Sequence, residues 1–150
     1  MSDWRELLGS HLDHMLTSRA DTVRMIAAQD PKVRQGAFSL LAYHWEPDLA
    51  LEGAYRQAVL TDPDDRVRAA AVACLRKLHF GARNREISCF LAAIVADEAN
   101  APSVRNNAYL ALMDVQGVPV PRDLEWEIAA DRTKVPTNLD WVLVHSFLRK

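Results

Sequence analysis

Apolar residues recur along this chain at spacings of three and four, the mark of helices that each bury one stripe. The clearest run is DPDDRVRAAAVACLRKL, residues 62–78, where Val67, Ala71, Cys74 and Leu75 share a face. Sliding this phrase along the chain finds it twice more, as DPKVRQGAFSLLAYHW from Asp30 and NAPSVRNNAYLALMDVQG from Asn100. Aligned on their Val-Arg pairs, the copies superimpose Val33, Val67 and Val104, then Arg34, Arg68 and Arg105. Ala37, Ala71 and Ala108 coincide as well, and so do Leu41, Leu75 and Leu112. The valines lie 34 and 37 residues apart, a period that marks stacked supersecondary units. With Leu40, Cys74 and Ala111 added, the shared positions fall at offsets 0, 4, 7 and 8 from the valine and form one buried stripe per helix.

Each copy opens on a helix-start signal. Asp30-Pro31 and Asp62-Pro63 set a carboxylate N-cap before a proline at the first helical position, and Asn100 with Pro102 is a looser version. A further helical pattern precedes each copy: DTVRMIAAQ, PDLALEGAYRQAVL and REISCFLAAIVADE. The expected fold is all-α, an α-solenoid of about three helical hairpins over residues 20–46, 47–80 and 83–117, in one domain spanning 1–150. The ends read as capping helices. Residues 1–18 offer Leu8, Leu12 and Met15, and residues 121–150 offer Leu139, Val142, Val144, Phe147 and Leu148, with Thr137 and Asp140 as a capping box.

Asp, Pro, Val-Arg, Ala and Leu at this spacing resemble the second helix of the HEAT repeat, over roughly residues 20–117. The resemblance implies a right-handed stack whose second helices line a concave surface. It also implies that the arginines and the turn aspartates bond from repeat to repeat in a ladder, which gives Arg34, Arg68 and Arg105 a structural role. A helical wheel puts offsets 2, 6, 9 and 13 opposite the buried stripe. These are Gln35, Ser39, Ala42 and Glu46 in the first repeat, and Ala69, Ala73, Arg76 and Phe80 in the second. The third repeat supplies Asn106, Leu110, Met113 and Gly117. The expected surface is small, apolar at its centre and edged by Glu46 and Arg76.

Composition narrows the chemistry. The chain is 49% hydrophobic and 25% charged with a formal net charge of -2, so no global field attracts a phosphate backbone and nucleic acid is a disfavoured partner. MSDWRELLGSHLDHML lacks the basic start and unbroken apolar run of a signal peptide, and no stretch approaches the roughly 18 apolar residues of a membrane span. Cys74 and Cys89 sit inside helical patterns without metal-ligand neighbours and read as reduced thiols, which makes the expected location cytoplasmic. His11 and His14 are one helical turn apart, but no distant cluster completes a metal site. Ser10, His11 and Asp13 are adjacent rather than convergent, and no Gly-x-Ser-x-Gly elbow or phosphate-cradling glycine loop occurs. No catalytic residue, metal or cofactor is expected.

The leading expectation is a non-catalytic interaction module that grips a helix or loop of a partner protein on its concave face. In size and charge it resembles adaptors and bacterial immunity proteins. The resemblance carries two other readings. One is the HEAT-like bilin lyases, whose pocket adds aromatic and carboxylate groups to the concave face; Tyr43, His44 and Trp45 are the candidates, although in LLAYHWEPD they also end a helix. The other is the HEAT-like proteins that grip DNA in a basic channel. For that reading the densest basic patch is RKLHFGARNR, with Arg76, Lys77, Arg83 and Arg85 around His79 and a turn at Gly81.

Overall fold

The computed structural model describes residues 19–148, and among them all regular structure is helical. In chain order the helices are α1 (Arg19–Met25), α2 (Pro31–Tyr43), α3 (Glu52–Thr61) and α4 (Asp65–Leu78), then α5 (Arg85–Ala96), α6 (Pro102–Gln116), α7 (Arg122–Ala130) and α8 (Trp141–Ser146). A short 3-10 turn, Leu49–Leu51, leads into α3. The expected N-terminal helix, with His11 and His14, lies outside the described residues.

Consecutive helices pair as α1 with α2, α3 with α4, and α5 with α6, while the second helices α2, α4 and α6 pack successively on one another. The repeated stripe is what they bury. Ala37, Val67, Ala71, Leu75, Val104, Ala108, Ala111 and Leu112 are fully enclosed, and Val33 is half-buried.

Burial reaches further round each second helix than one stripe. Phe38, Val72 and Tyr109, all at offset 5, are also in the core, and Phe38 meets Tyr55 of α3 edge-on with ring centroids 6.1 Å apart. Each second helix therefore presents one side to its own hairpin partner and another to the next second helix. The same geometry encloses Ala42 and Met113 at offset 9, which are 2% and 1% exposed, where the wheel expected open positions. Leu124, Ile128, Leu139 and Val144 join this core and Phe147 packs against it. Val142, at 84% exposure, and Leu148 face outward instead of covering it.

The helix starts follow the same chemistry with a shift of position. Asp30 caps α2 as expected: its carboxylate accepts from the Lys32 N–H at 2.9 Å, with Pro31 as the first helical residue. At α4 the cap is Asp64, whose Oδ1 accepts from the Arg66 and Val67 N–H groups at 2.8 and 3.2 Å. Asp62 closes α3 instead. It stands too far before α4 to cap it, and its oxygens are taken by the Asp64 N–H and by Arg34. Ala101, not Asn100, occupies the cap position of α6 ahead of Pro102. At α8 the cap is Asp140 itself, accepting from the Leu143 N–H at 3.0 Å, so Thr137 plays no part as a capping side chain. Gly117 ends α6 in the left-handed region with φ 66°, a conformation that glycine adopts without Cβ strain.

Arginines join one repeat to the next. Arg34 donates to the Ala28 and Gln29 carbonyls at the end of its own hairpin and to both carboxylate oxygens of Asp62 in the following one. Arg68 repeats the arrangement, donating to the Val59 carbonyl and to Asn100 Oδ1, each at 2.6 Å. Asn100 Nδ2 in turn donates to the Ile94 carbonyl, which explains why this side chain is unavailable as a cap. Arg105 keeps the intra-hairpin bond, to the Val95 carbonyl at 2.8 Å. Turn and ladder are thus one polar network, and it leaves the opposite face of α2, α4 and α6 free.

Candidate functional site

That free face holds a groove of ≈ 760 Å³, lined by α2, α4, α6, α7 and by Arg132, which follows α7. Ala69, Ala70 and Ala73 of α4 contribute methyl groups to the lining, beside Leu110 of α6 and Ile128 and Ala129 of α7. Gln35, Ser39, Ser103 and Asn107 contribute hydroxyl and amide groups to the lining.

Of the residues placed by the wheel on the open face, Gln35, Ser39, Ala69, Ala73, Arg76, Asn106 and Leu110 are brought together here. Ala42 and Met113 are in the core. Glu46, Phe80 and Gly117 are exposed but stand outside the groove, so Glu46 does not edge it. Tyr43 lines the groove while 72% exposed. His44 and Trp45 do not; Trp45 packs against the core, and its carbonyl accepts from Lys77 Nζ at 2.9 Å.

The basic turn resolves into separate roles. Arg76 forms an ion pair with Asp114 of α6, and Lys77 is held by Trp45. His79 Nε2 lies 2.7 Å from Glu52 Oε1. The turn itself is fastened to the end of α6, with the Gly81 and Arg83 N–H groups donating to the Asp114 and Val115 carbonyls at 2.9 and 2.8 Å. Arg83 and Arg85 remain exposed and lie outside the groove lining.

Two groove residues escaped the sequence reading. Arg66 and Arg132 line the groove, are exposed, and make no side-chain hydrogen bond or ion pair among the described residues. Arg66 sits one residue before Val67, beside offsets 2 and 6 on the wheel, just outside the offsets assigned to the open face. Arg132 follows α7, outside the repeat, so no periodicity pointed to it. Glu125 is the acidic member of the lining.

Asn106 is the most constrained polar group here. It is 2% exposed, its Nδ2 donates to the Lys134 carbonyl at 2.8 Å, and its Oδ1 has no hydrogen-bond partner. A buried acceptor without a donor costs about 1–3 kcal/mol, so this amide is held in place for the anchoring of the segment after α7 at a local loss.

Nucleophile chemistry is not favoured by the one fully enclosed thiol. Burial pushes the Cys74 thiol up to about 12, and its Sγ donates to the Phe38 carbonyl within the core. Among the described residues no group of three or more His, Cys, Asp or Glu side chains is placed to hold a metal ion.

The HEAT repeat family model matches residues 56–81, which run from within α3 through α4 to the turn at Gly81. No curated protein and no solved structure matches the chain. With the hairpins stacked on either side and the arginine ladder that ties them, this chain is an all-α helical-repeat protein whose residues 56–81 are similar to the HEAT repeat.

Proposed function

We propose that this protein is a non-catalytic interaction module that binds another protein in the groove across α2, α4 and α6. The observation that carries this reading is the groove itself. It draws on α2, α4 and α6, combines alanine with amide, hydroxyl and guanidinium groups, and leaves Arg66 and Arg132 unpaired among the described residues. HEAT repeats generally mediate protein–protein interaction, and a concave face of this mixed character suits a segment of a partner chain. An adaptor or immunity-type role in the cytoplasm is the narrower form of the reading. Among the described residues no helix is long and apolar enough to cross a membrane. The pigment-handling reading has less support, because only Tyr43 of its three candidate side chains lines the groove.

Filling the groove tests the proposal. Ala73→Trp, or Ser39→Trp if the first variant loses helicity by circular dichroism, is expected to abolish capture of the partner from source-cell lysate. Leu60→Glu, on the exposed side of α3, is expected to leave capture unchanged. Equal capture by the groove variants and the wild type contradicts the proposal.

A further inference from the structure

The charge of the groove differs in sign from that of the chain. The whole sequence carries a formal net charge of -2, yet the lining holds Arg66, Arg76 and Arg132 against Glu125. Arg76 is already engaged by Asp114. Arg66 and Arg132 come from different elements, α4 and the segment after α7, and among the described residues neither has a carboxylate partner. Folding has thus gathered guanidinium groups that have no partner among the described residues beside the alanine lining, and a guanidinium is best satisfied by a carboxylate in two parallel hydrogen bonds.

From this we infer that the groove takes an acidic peptide segment, with its carboxylates on Arg66 and Arg132. The inference rests on the groove being the binding site. Single-stranded nucleic acid, the other polyanion, binds through a strongly basic track with aromatic platforms for its bases. Here Tyr43 is the aromatic residue of the lining, and the surface beneath is alanine and leucine.

The test is selection from a phage-displayed library of random dodecapeptides on the immobilised full chain. The selected pool is expected to be enriched in Asp and Glu over the starting library. A synthetic peptide from that pool is expected to bind the Arg66→Glu/Arg132→Glu double variant about ten-fold or more weakly. Both arginines are exposed, so the double variant is expected to keep wild-type helicity. Peptides that are blocked by Ala73→Trp but are neutral or basic, or are indifferent to the charge reversals, overturn the acidic-peptide inference and leave the groove reading standing. Acidic peptides indifferent to Ala73→Trp overturn both. An empty selection overturns the inference, and so does displacement of the peptide by a thymidine oligonucleotide, which assigns the arginines to nucleic acid.

Discussion

Arg34 on α2 grips Asp62, in the turn after α3, through two hydrogen bonds: Nε to Oδ2 at 2.9 Å and Nη2 to Oδ1 at 3.1 Å. Both side chains are largely shielded, at 13% and 9% exposure, and the Asp62 contact raises the Arg34 pKa above its ordinary value. One pair therefore fixes the turn that ends one hairpin and the position of the hairpin before it. Arg34→Met and Asp62→Ala are each expected to lower the melting temperature, and the double variant to lose less than the sum of the two, because residues in direct contact couple. Strict additivity in the thermal double-mutant cycle contradicts the ladder as a joint between repeats.

The stack is expected to fail from its middle. Leu75 is fully enclosed between hairpins, and Leu75→Ala is expected to cost about 2–5 kcal/mol in urea unfolding. Phe38→Ala, at the offset shared with Val72 and Tyr109 and against the ring of Tyr55, is expected to cost about 3–5 kcal/mol. A loss well under about 1 kcal/mol at either site would mean that the helix register is wrong.

Acid is expected to weaken the protein through Glu52. Burial pushes its carboxyl upward, but hydrogen bonds and charge from His79 and Arg56 outweigh burial and hold it below the ordinary 4.5. A carboxyl with a depressed folded pKa adds stability above its unfolded value and loses it as pH falls through the folded value. The melting-temperature gap between the wild type and Glu52→Gln is therefore expected to be full above pH 4.5 and to shrink on acidification. A gap that stays constant from about pH 6 down to about pH 3 contradicts the assignment.

The two cysteines are expected to differ as nucleophiles. Cys74 is buried, its thiol pushed up to about 12, and Cys89 is half-buried on α5. Since the thiolate is the reactive form, an aromatic disulfide reagent is expected to titrate about one thiol in the native protein and both after denaturation. Equal rates for the two native thiols would contradict the enclosed position of Cys74.

The Val-Arg phrase made the architecture legible, because a repeated stripe at offsets 0, 4, 7 and 8 has one efficient burial, against neighbouring copies of itself. It understated how much each helix buries. Phe38, Val72 and Tyr109 differ in type and so escaped a search for identical positions, yet they occupy one place in the packing. The capping signals gave the chemistry with the wrong owner at Asp62, since a local rule does not see Arg34 arriving from the previous repeat. The groove was partly legible for the same reason as the core: Gln35, Ser39, Ala69, Ala73 and Leu110 follow the wheel. Arg66 and Arg132 were not, because Arg132 reaches the groove through the path of the chain after the last repeat, which carries no period.

The central claim is that the partner sits on the second helices. Photo-cross-linking reads this directly, with benzoylphenylalanine placed at Ser39 in the groove or at Leu60 on the exposed side of α3. The prediction is a cross-linked partner band from Ser39, competed away by unlabelled wild-type protein, and none from Leu60. A band from Leu60 with none from Ser39 would contradict it.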